Sequence, residues 1–551
     1  MNESVFTFIV GGKAGEGVKK AGSSAAQLFA SMGRQVFQMD DYQSLIKGGH
    51  NFSVISTAKR RITSHYMKAD LVVAPDKKSY DMHKEQLSER GIMVYNSDKV
   101  GEVEGVGVPL TTEAKKYPNP DLRIGVGAVA TLAAVVGLDQ DGLKRLIQSE
   151  YPRDVENNLA YAVAIHNTVY PKIGGKFQLE RGDKQRPIIS GNEAIALGAA
   201  AGGLDTYFAY PMTPSSSLLH YLAAHDRELG VTVVHPENEI AVINMAIGSA
   251  FAGAKAMVGS SGGGFALMQE TFSLAGMVEA PLLCVLGSRP GPSTGVPTYT
   301  SQGDLKFAIH QGHGEFPRIV ASPGSMEEAF YLASEMLDLV WRFQTPGILL
   351  TDKHMAESAM TVDIDVGKAK WPEPLRHGGG EYKRYLDTET GVSSLLFPPS
   401  KELIKWDSYE HDELGITTED PHMVAKMHEK RRRKKKTIID YMMGLQTVNV
   451  YGDKGPAILT YGSTTMSVLE ALESGNIEAT VVQPIYLEPL PVWELEGYKD
   501  RKVIILEISC VGQFASLLEE KVGIKPKMVI KKYDGRPFDP IELANRIKEV
   551  M

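Results

Sequence analysis

The chain has 551 residues, 43% of them hydrophobic, enough for three or four domains at roughly 100–200 residues each. Its 67 acidic and 59 basic residues leave a net charge of −8, which speaks against a general nucleic-acid binder, whose affinity comes from neutralised phosphates. Its two cysteines, Cys284 and Cys510, exclude a disulfide framework, a Cys₄ zinc site and a four-cysteine iron–sulfur site, so any redox cluster used by the protein sits on another chain.

The start, MNESVFTFIVGG, lacks the cationic head and small-residue cleavage site of a signal peptide and reads as a first strand, Val5–Val10. After GGKAGEGVKKAG, Val18, Ala21, Ala25, Leu28 and Met32 recur at helical spacing and Gly33 stops them. A strand is expected at Arg34–Gln38, followed by DDYQSLIKGGHNFSV, with short buried strands at Ala69–Pro75 and Gly91–Tyr95. The greasy stretch Ile124–Leu138 is shorter than the ~20 residues of a membrane span and reads as a packed internal helix. A soluble, cytoplasmic protein with no membrane segment is expected. Polar Lys172–Arg186 reads as a linker.

From about residue 187 the α/β rhythm is clearest. A helix at Asn192–Ala201 precedes a strand at Thr206–Ala209, and YPMTPSS follows, with Thr213 fitting an N-cap and Pro214 the first helical position. Strands Val231–His235, Lys255–Gly259 and Leu282–Gly287 lead into PENE, SSGGG and SRPGPSTGVPT. In a parallel doubly wound sheet these four loops share the edge where ligands bind. Residues 366–454 are irregular and carry the basic run Glu429–Lys436, which reads better as a solvated helix face than as a nucleic-acid patch, given the net negative charge. The remainder returns to α/β, with strands at Ala457–Tyr461, Thr480–Gln483 and Lys502–Glu507.

Several loops are richer than a connection requires. GGKAGEG could offer backbone N–H groups to an anion, or could simply pack helix on strand. KGGHN (Lys47, Gly48, Gly49, His50, Asn51) could bind an anion through Lys47 or form a tight turn with a hydrogen-bonded His50. Tyr210, Thr213, Ser215 and Ser216 crowd four hydroxyls onto one turn, and capping explains only Thr213. In HPENE, Glu237 and Glu239 open a helix that is otherwise almost wholly apolar. Glu237 reads as an ordinary first-turn acid. A carboxylate pointing inward from such a helix needs a partner, which a bound heterocyclic nitrogen would supply. Arg289 is the only cation of its Pro/Gly/Ser/Thr loop; it could hold a carboxylate bidentately, with Thr298 as a second donor, or lie on the surface.

Taken together, GGKAGEGV, YQSLIKGGHN, YPMTPSS, HPENEIAVINMAIGSAFAGAK, SSGGGFALMQE, GPSTGVPTYTSQGDL, HGEFPRIV, YLEPLP and KYDGRPF resemble the α subunit of 2-oxoacid:ferredoxin oxidoreductases with an N-terminally fused γ domain. The resemblance implies a multidomain α/β fold of three doubly wound domains: a γ domain at 1–175, a thiamine diphosphate pyrimidine-binding domain at 187–365 and a transketolase C-terminal-like domain at 455–551, with an arm at 366–454 before the last. It implies oxidative decarboxylation of a 2-oxoacid with coenzyme A, giving acyl-CoA, CO₂ and two electrons for ferredoxin. A separate β subunit would hold the diphosphate, Mg²⁺ and a [4Fe–4S] cluster, in an (αβ)₂ heterotetramer that binds neither nucleic acid nor membrane. No metal is expected on this chain.

By the same resemblance Glu239 is the catalytic acid beside N1′ of the aminopyrimidine, where it favours the imino tautomer. Thr213, Arg289 and Thr298 would hold substrate. Tyr210, Pro211, Met212, Ser215, Ser216 and Glu237 would lie on the cofactor side, and residues 47–51 on the coenzyme A or substrate side. The fused layout and YEHDELGITTED look most like 2-oxoglutarate enzymes; pyruvate and branched-chain acids are the alternatives. Two rival readings stand beside this one. One is an NAD-linked oxidoreductase using GGKAGEG, with Asp40 or Asp41 as the ribose acid. The other is a non-catalytic scaffold subunit.

Overall fold

The computed structural model describes residues 5–44 and 49–551. It divides into two compact units: Met1–Ile189 with Ser358–Asp363 and Asp539–Glu542, and Ser190–Glu357 with Ile364–Phe538 and Leu543–Met551.

The first unit is built on strand Phe6–Gly12, buried along its whole length, and helix Val18–Ser31, whose apolar residues face it. Between them the glycine turn folds onto itself. Glu16 Oε2 accepts from the Lys13 N–H at 2.8 Å, and Gly17 takes the left-handed φ of 75° that starts the helix. Helix Pro120–Val135 is the packed internal helix expected, buried from Arg123 to Val135. It approaches so closely that a β-carbon on Gly125 would lie 2.7 Å from the Gly17 carbonyl. The turn thus performs the packing task that was one of its two readings.

The sheet of this unit is mixed, a feature the sequence did not announce. Strand Phe6–Gly12 pairs in parallel with Ala69–Ala74 on one side and antiparallel with Asn51–Ala58 on the other. The latter strand, unassigned from sequence, also pairs antiparallel with Gln35–Asp41. The antiparallel strand therefore separates Phe6–Gly12 from Gln35–Asp41, and the adjacent parallel βαβ unit of a dinucleotide site is absent from this part of the sheet. Asp40 is buried, taking the Ser53 hydroxyl at 2.6 Å and the Gln38 amide at 3.0 Å. These features remove the support for the NAD reading.

In the second unit a seven-stranded sheet runs in the order Tyr486–Glu488, Ile319–Ala321, Pro346–Asp352, Leu282–Ser288, Ala256–Ser261, Thr206–Ala209, Thr232–Val234. All neighbours but the first pair are parallel. The ends of Thr206–Ala209, Thr232–Val234, Ala256–Ser261 and Leu282–Ser288 therefore deliver their loops to one edge. A second sheet, Val448–Tyr451, Thr480–Pro484, Ala457–Leu459, Val503–Glu507, Met528–Lys531, is parallel except for its first strand.

The basic run corrects its sequence reading. It lies on helix Pro421–Met442, whose Lys430, Arg431 and Lys434 are buried. Lys430 Nζ reaches Glu279 Oε1 at 2.7 Å, Lys434 pairs with the other oxygen, and Arg431 pairs with Glu410. Burial works against ionising Glu279, but Lys430, Lys434 and Arg384 outweigh it and hold its pKa well below the carboxylate range. Three of its seven basic residues are thus internal structure; Arg432, Lys435 and Lys436 remain on the solvent side.

Candidate active site

Asn238 N-caps helix Glu239–Phe251, its Oδ1 accepting from the Ala241 N–H at 2.9 Å. The cap directs the next residue inward: Glu239 is only 3% exposed, while Glu237 lies on the surface. Glu239 Oε1 has no hydrogen-bond partner among the described residues. An unpaired buried carboxylate oxygen is costly, and this one occurs where the sequence predicted an acid awaiting a ring nitrogen.

Strand Ala256–Ser261 runs directly into helix Gly262–Leu267, so SSGGG is a strand end and a first helical turn that pack against Glu239. A β-carbon on Gly264 would stand 2.2 Å from both Glu239 Oε1 and Ser260 Oγ. Only glycine fits there. Ser260 and Ser261 are fully buried, and both hydroxyls lack partners among the described residues. Met212 roofs these glycines: its sulfur accepts from the Gly264 N–H at 3.3 Å and lies 3.8 Å from a β-carbon position on Gly263.

The YPMTPSS loop differs in detail from its sequence reading. The Ser215 N–H bonds to the Met212 carbonyl at 2.9 Å, closing a turn, and the helix begins only at Ser216. Thr213 is therefore not the N-cap and Pro214 is not the first helical residue. Ser215, at the cap position, makes no side-chain cap; its hydroxyl donates to the Ser260 carbonyl at 2.6 Å and ties this loop to the strand end before the glycines. Tyr210 is exposed with its ring 5.7 Å from that of His235, Pro211 is exposed, and Ser216 is half-buried.

Arg289 and Thr213 do come together. Arg289 Nη1 donates to the Thr213 carbonyl at 2.9 Å, which fixes one side of the guanidinium. The arginine is half-buried, so the reading of a plain surface residue does not hold. Burial lowers its pKa, opposed by Asp304. Asp304, which sequence reasoning missed, accepts from the Ser288 hydroxyl at 2.8 Å. Burial raises its pKa against the pull of that hydrogen bond and of Arg289. Thr298 is 4% exposed, and its hydroxyl has no partner among the described residues. The loop between Arg289 and Thr298 closes through Val296 N–H to Pro290 carbonyl at 2.9 Å, and a β-carbon on Gly295 would stand 1.7 Å from that carbonyl.

The far end of the loop is held by the second sheet. Thr300 N–H bonds to the Gly535 carbonyl at 3.0 Å, and the Arg536 guanidinium lies 3.7 Å over the Tyr299 ring. Gln302 donates to the Tyr461 carbonyl at 2.9 Å, while its oxygen accepts from Thr464 and from the Ile508 N–H, each at 2.9 Å.

Of the KGGHN residues, Lys47 and Gly48 lie outside the described residues. Gly49 takes a φ of 73°, and Asn51 Oδ1 accepts from the Gln43 N–H at 3.3 Å. His50 is buried with Nε2 2.8 Å from His83 Nε2, in keeping with the hydrogen-bonded-histidine reading. Burial, followed by His83, lowers its pKa to about 4, so the pair shares one proton and no charge.

Comparison with known proteins bears on this arrangement. The family "Pyruvate flavodoxin/ferredoxin oxidoreductase, thiamine diP-bdg" matches residues 197–429, and "Pyruvate ferredoxin/flavodoxin oxidoreductase" matches residues 7–166. The chain is 30% identical to 2-oxoacid:ferredoxin oxidoreductase 2, subunit alpha, of Aeropyrum pernix, over 99% of this chain and 97% of that one. It belongs to the 2-oxoacid:ferredoxin oxidoreductase alpha subunits. The family read from the motifs is thus the one the comparisons return, with both matched regions fused in one chain. A 2-oxoglutarate synthase subunit KorA of Archaeoglobus fulgidus is 42% identical across 31% of this chain and 50% of that one. The structure of 2-oxoglutarate:ferredoxin oxidoreductase from Magnetococcus marinus, with 2-oxoglutarate, coenzyme A and succinyl-CoA bound, superposes with a TM-score of 0.91 at 28% identity over the full length of both chains.

Proposed function

We propose that this subunit works on 2-oxoglutarate, oxidising it with coenzyme A to succinyl-CoA and CO₂ and passing two electrons to ferredoxin. In this reading the catalytic carboxylate is Glu239 and the substrate cation is Arg289. The observation that carries it is the orphaned, buried Glu239 Oε1 at the sheet edge, beside a glycine turn with no side chain to fill the space.

These residues fit the aminopyrimidine of thiamine diphosphate. Glu239 supplies an acceptor for a ring nitrogen, Gly263, whose β-carbon position meets only Met212, leaves room for a flat ring, and Met212 offers an apolar surface. When bound, the cofactor supplies a carbon nucleophile and an electron sink for decarboxylation. Glu239 holds a proton between its Oε1 and the ring, in a pocket that keeps water away. Arg289, steadied by the Thr213 carbonyl, offers its remaining N–H groups to the substrate carboxylate, and Thr298 donates to the oxo group. The resemblance assigns residues 47–51 to the coenzyme A or substrate side; within the first unit, His50 is held by His83. The names of the Archaeoglobus and Magnetococcus proteins favour 2-oxoglutarate over pyruvate.

The complete centre requires a β subunit carrying the diphosphate site, Mg²⁺ and a [4Fe–4S] cluster, in an (αβ)₂ assembly. Co-purification with the neighbour-encoded β chain, then viologen reduction with coenzyme A and each 2-oxoacid in turn, tests the proposal. Preference for 2-oxoglutarate is expected. Equal or better rates with pyruvate overturn the substrate assignment, and no reduction with any 2-oxoacid overturns the reaction.

A further inference from the structure

We infer that Ser260 is a positioning residue that holds the Glu239 carboxylate in place against the cofactor ring. The inference rests on the function proposed above. Glu239 Oε1 and Ser260 Oγ each lie 2.2 Å from one point, the missing β-carbon of Gly264, so the two oxygens are close neighbours at that glycine. Both atoms are buried and neither has a partner among the described residues. Two such atoms side by side, one an acceptor and one a rotatable donor, call for a hydrogen bond between them.

The backbone of Ser260 is already fixed, because its carbonyl accepts the Ser215 hydroxyl at 2.6 Å. A hydroxyl donating to one lone pair of Oε1 fixes the orientation of the carboxyl group, leaving the second lone pair of the same oxygen for the ring nitrogen. Any side chain on Gly264 would collide with both oxygens.

The test uses the αβ complex loaded with thiamine diphosphate and reads two quantities besides turnover: calorimetric affinity for the cofactor, and the exchange rate of the cofactor C2 proton with deuterium after acid quench. For Ser260→Ala we expect exchange slowed about tenfold, as befits loss of one hydrogen bond to a charged group, with affinity within about twofold of wild type. Ser260→Thr keeps the hydroxyl and should restore exchange. If the alanine variant fails to assemble, Ser260→Cys, of similar volume but a weaker donor, should show the same slowing. Exchange unchanged in the Ala or Cys variant overturns the inference while leaving the proposed function intact. Equal loss of affinity and exchange in Ala, Cys and Thr alike means a packing role and also overturns it. A wild-type complex that takes up no thiamine diphosphate overturns the proposed function and this inference with it.

Discussion

Glu239 and Arg289 illustrate how differently two charged side chains can be prepared for work. The carboxylate is buried and lacks a partner on Oε1; the guanidinium is half-buried and anchored on one side only. Glu239→Gln should leave cofactor affinity near wild type, since the amide fills the same volume, while turnover falls by at least ~10²-fold, the lower end of what a positioned acid–base group contributes. Steady-state rates on the loaded complex check this, and retained turnover would refute the assignment. Arg289→Ala should raise the 2-oxoacid KM roughly tenfold or more with the smaller effect on kcat, because a charge-assisted pair is worth ~1.5–3 kcal/mol. Glu239 was legible in the sequence because an acid opening an apolar helix is anomalous. Ser260 was not: a serine after a strand and before a helix reads as an N-cap. Asp304 was hidden because its hydroxyl partner, Ser288, stands at the other end of a long loop.

Helix Pro421–Met442 shows the limit of reasoning by composition. A run of seven basic residues reads as solvated because burying even one charge is costly, and nothing within the run reveals Glu279, some 150 residues away. Burial, opposed by Glu279, lowers the Lys434 pKa from its ordinary 10.5 to about 7. The unfolded chain therefore binds more protons than the folded one between these values, so this residue's contribution to stability rises with pH from about 7 to 10. Unfolding midpoints of wild type and Lys434→Met across that range should diverge in favour of wild type as pH rises; parallel curves would show that the residue carries no such linkage. The regular helices and strands around this one were legible because apolar spacing is a local property. The strand Asn51–Ala58 is buried on both faces, and NFSVISTA shows neither the alternation of a half-buried strand nor a continuous apolar run, so its pattern did not announce it.

At the scale of the molecule, the parallel sheet of the second unit places the predicted loops on one edge, as its rhythm promised. The antiparallel strand of the first unit was not foreseeable from periodicity, which reports strands and not their direction. Beside the candidate site, helix Glu239–Phe251 exposes Ile240 and Met245, with Leu267 exposed on a helix packed against it. Apolar side chains left in water next to an incomplete site suit a subunit interface. Met245→Glu should cut co-purification of the β chain at least severalfold while leaving the circular dichroism spectrum of the isolated subunit unchanged. Undiminished recovery would move the interface elsewhere.

The Gln302 amide has a consequence for anyone grafting this enzyme. Its three hydrogen bonds join the carbonyl of Tyr461, the hydroxyl of Thr464 and the amide nitrogen of Ile508. A hybrid that exchanged only the C-terminal region with a relative would inherit a foreign socket for this plug, and its Arg289 loop would lose its moorings even with every loop residue kept. Recombination between such enzymes should therefore succeed when residues 289–302 travel with the C-terminal region as one cassette.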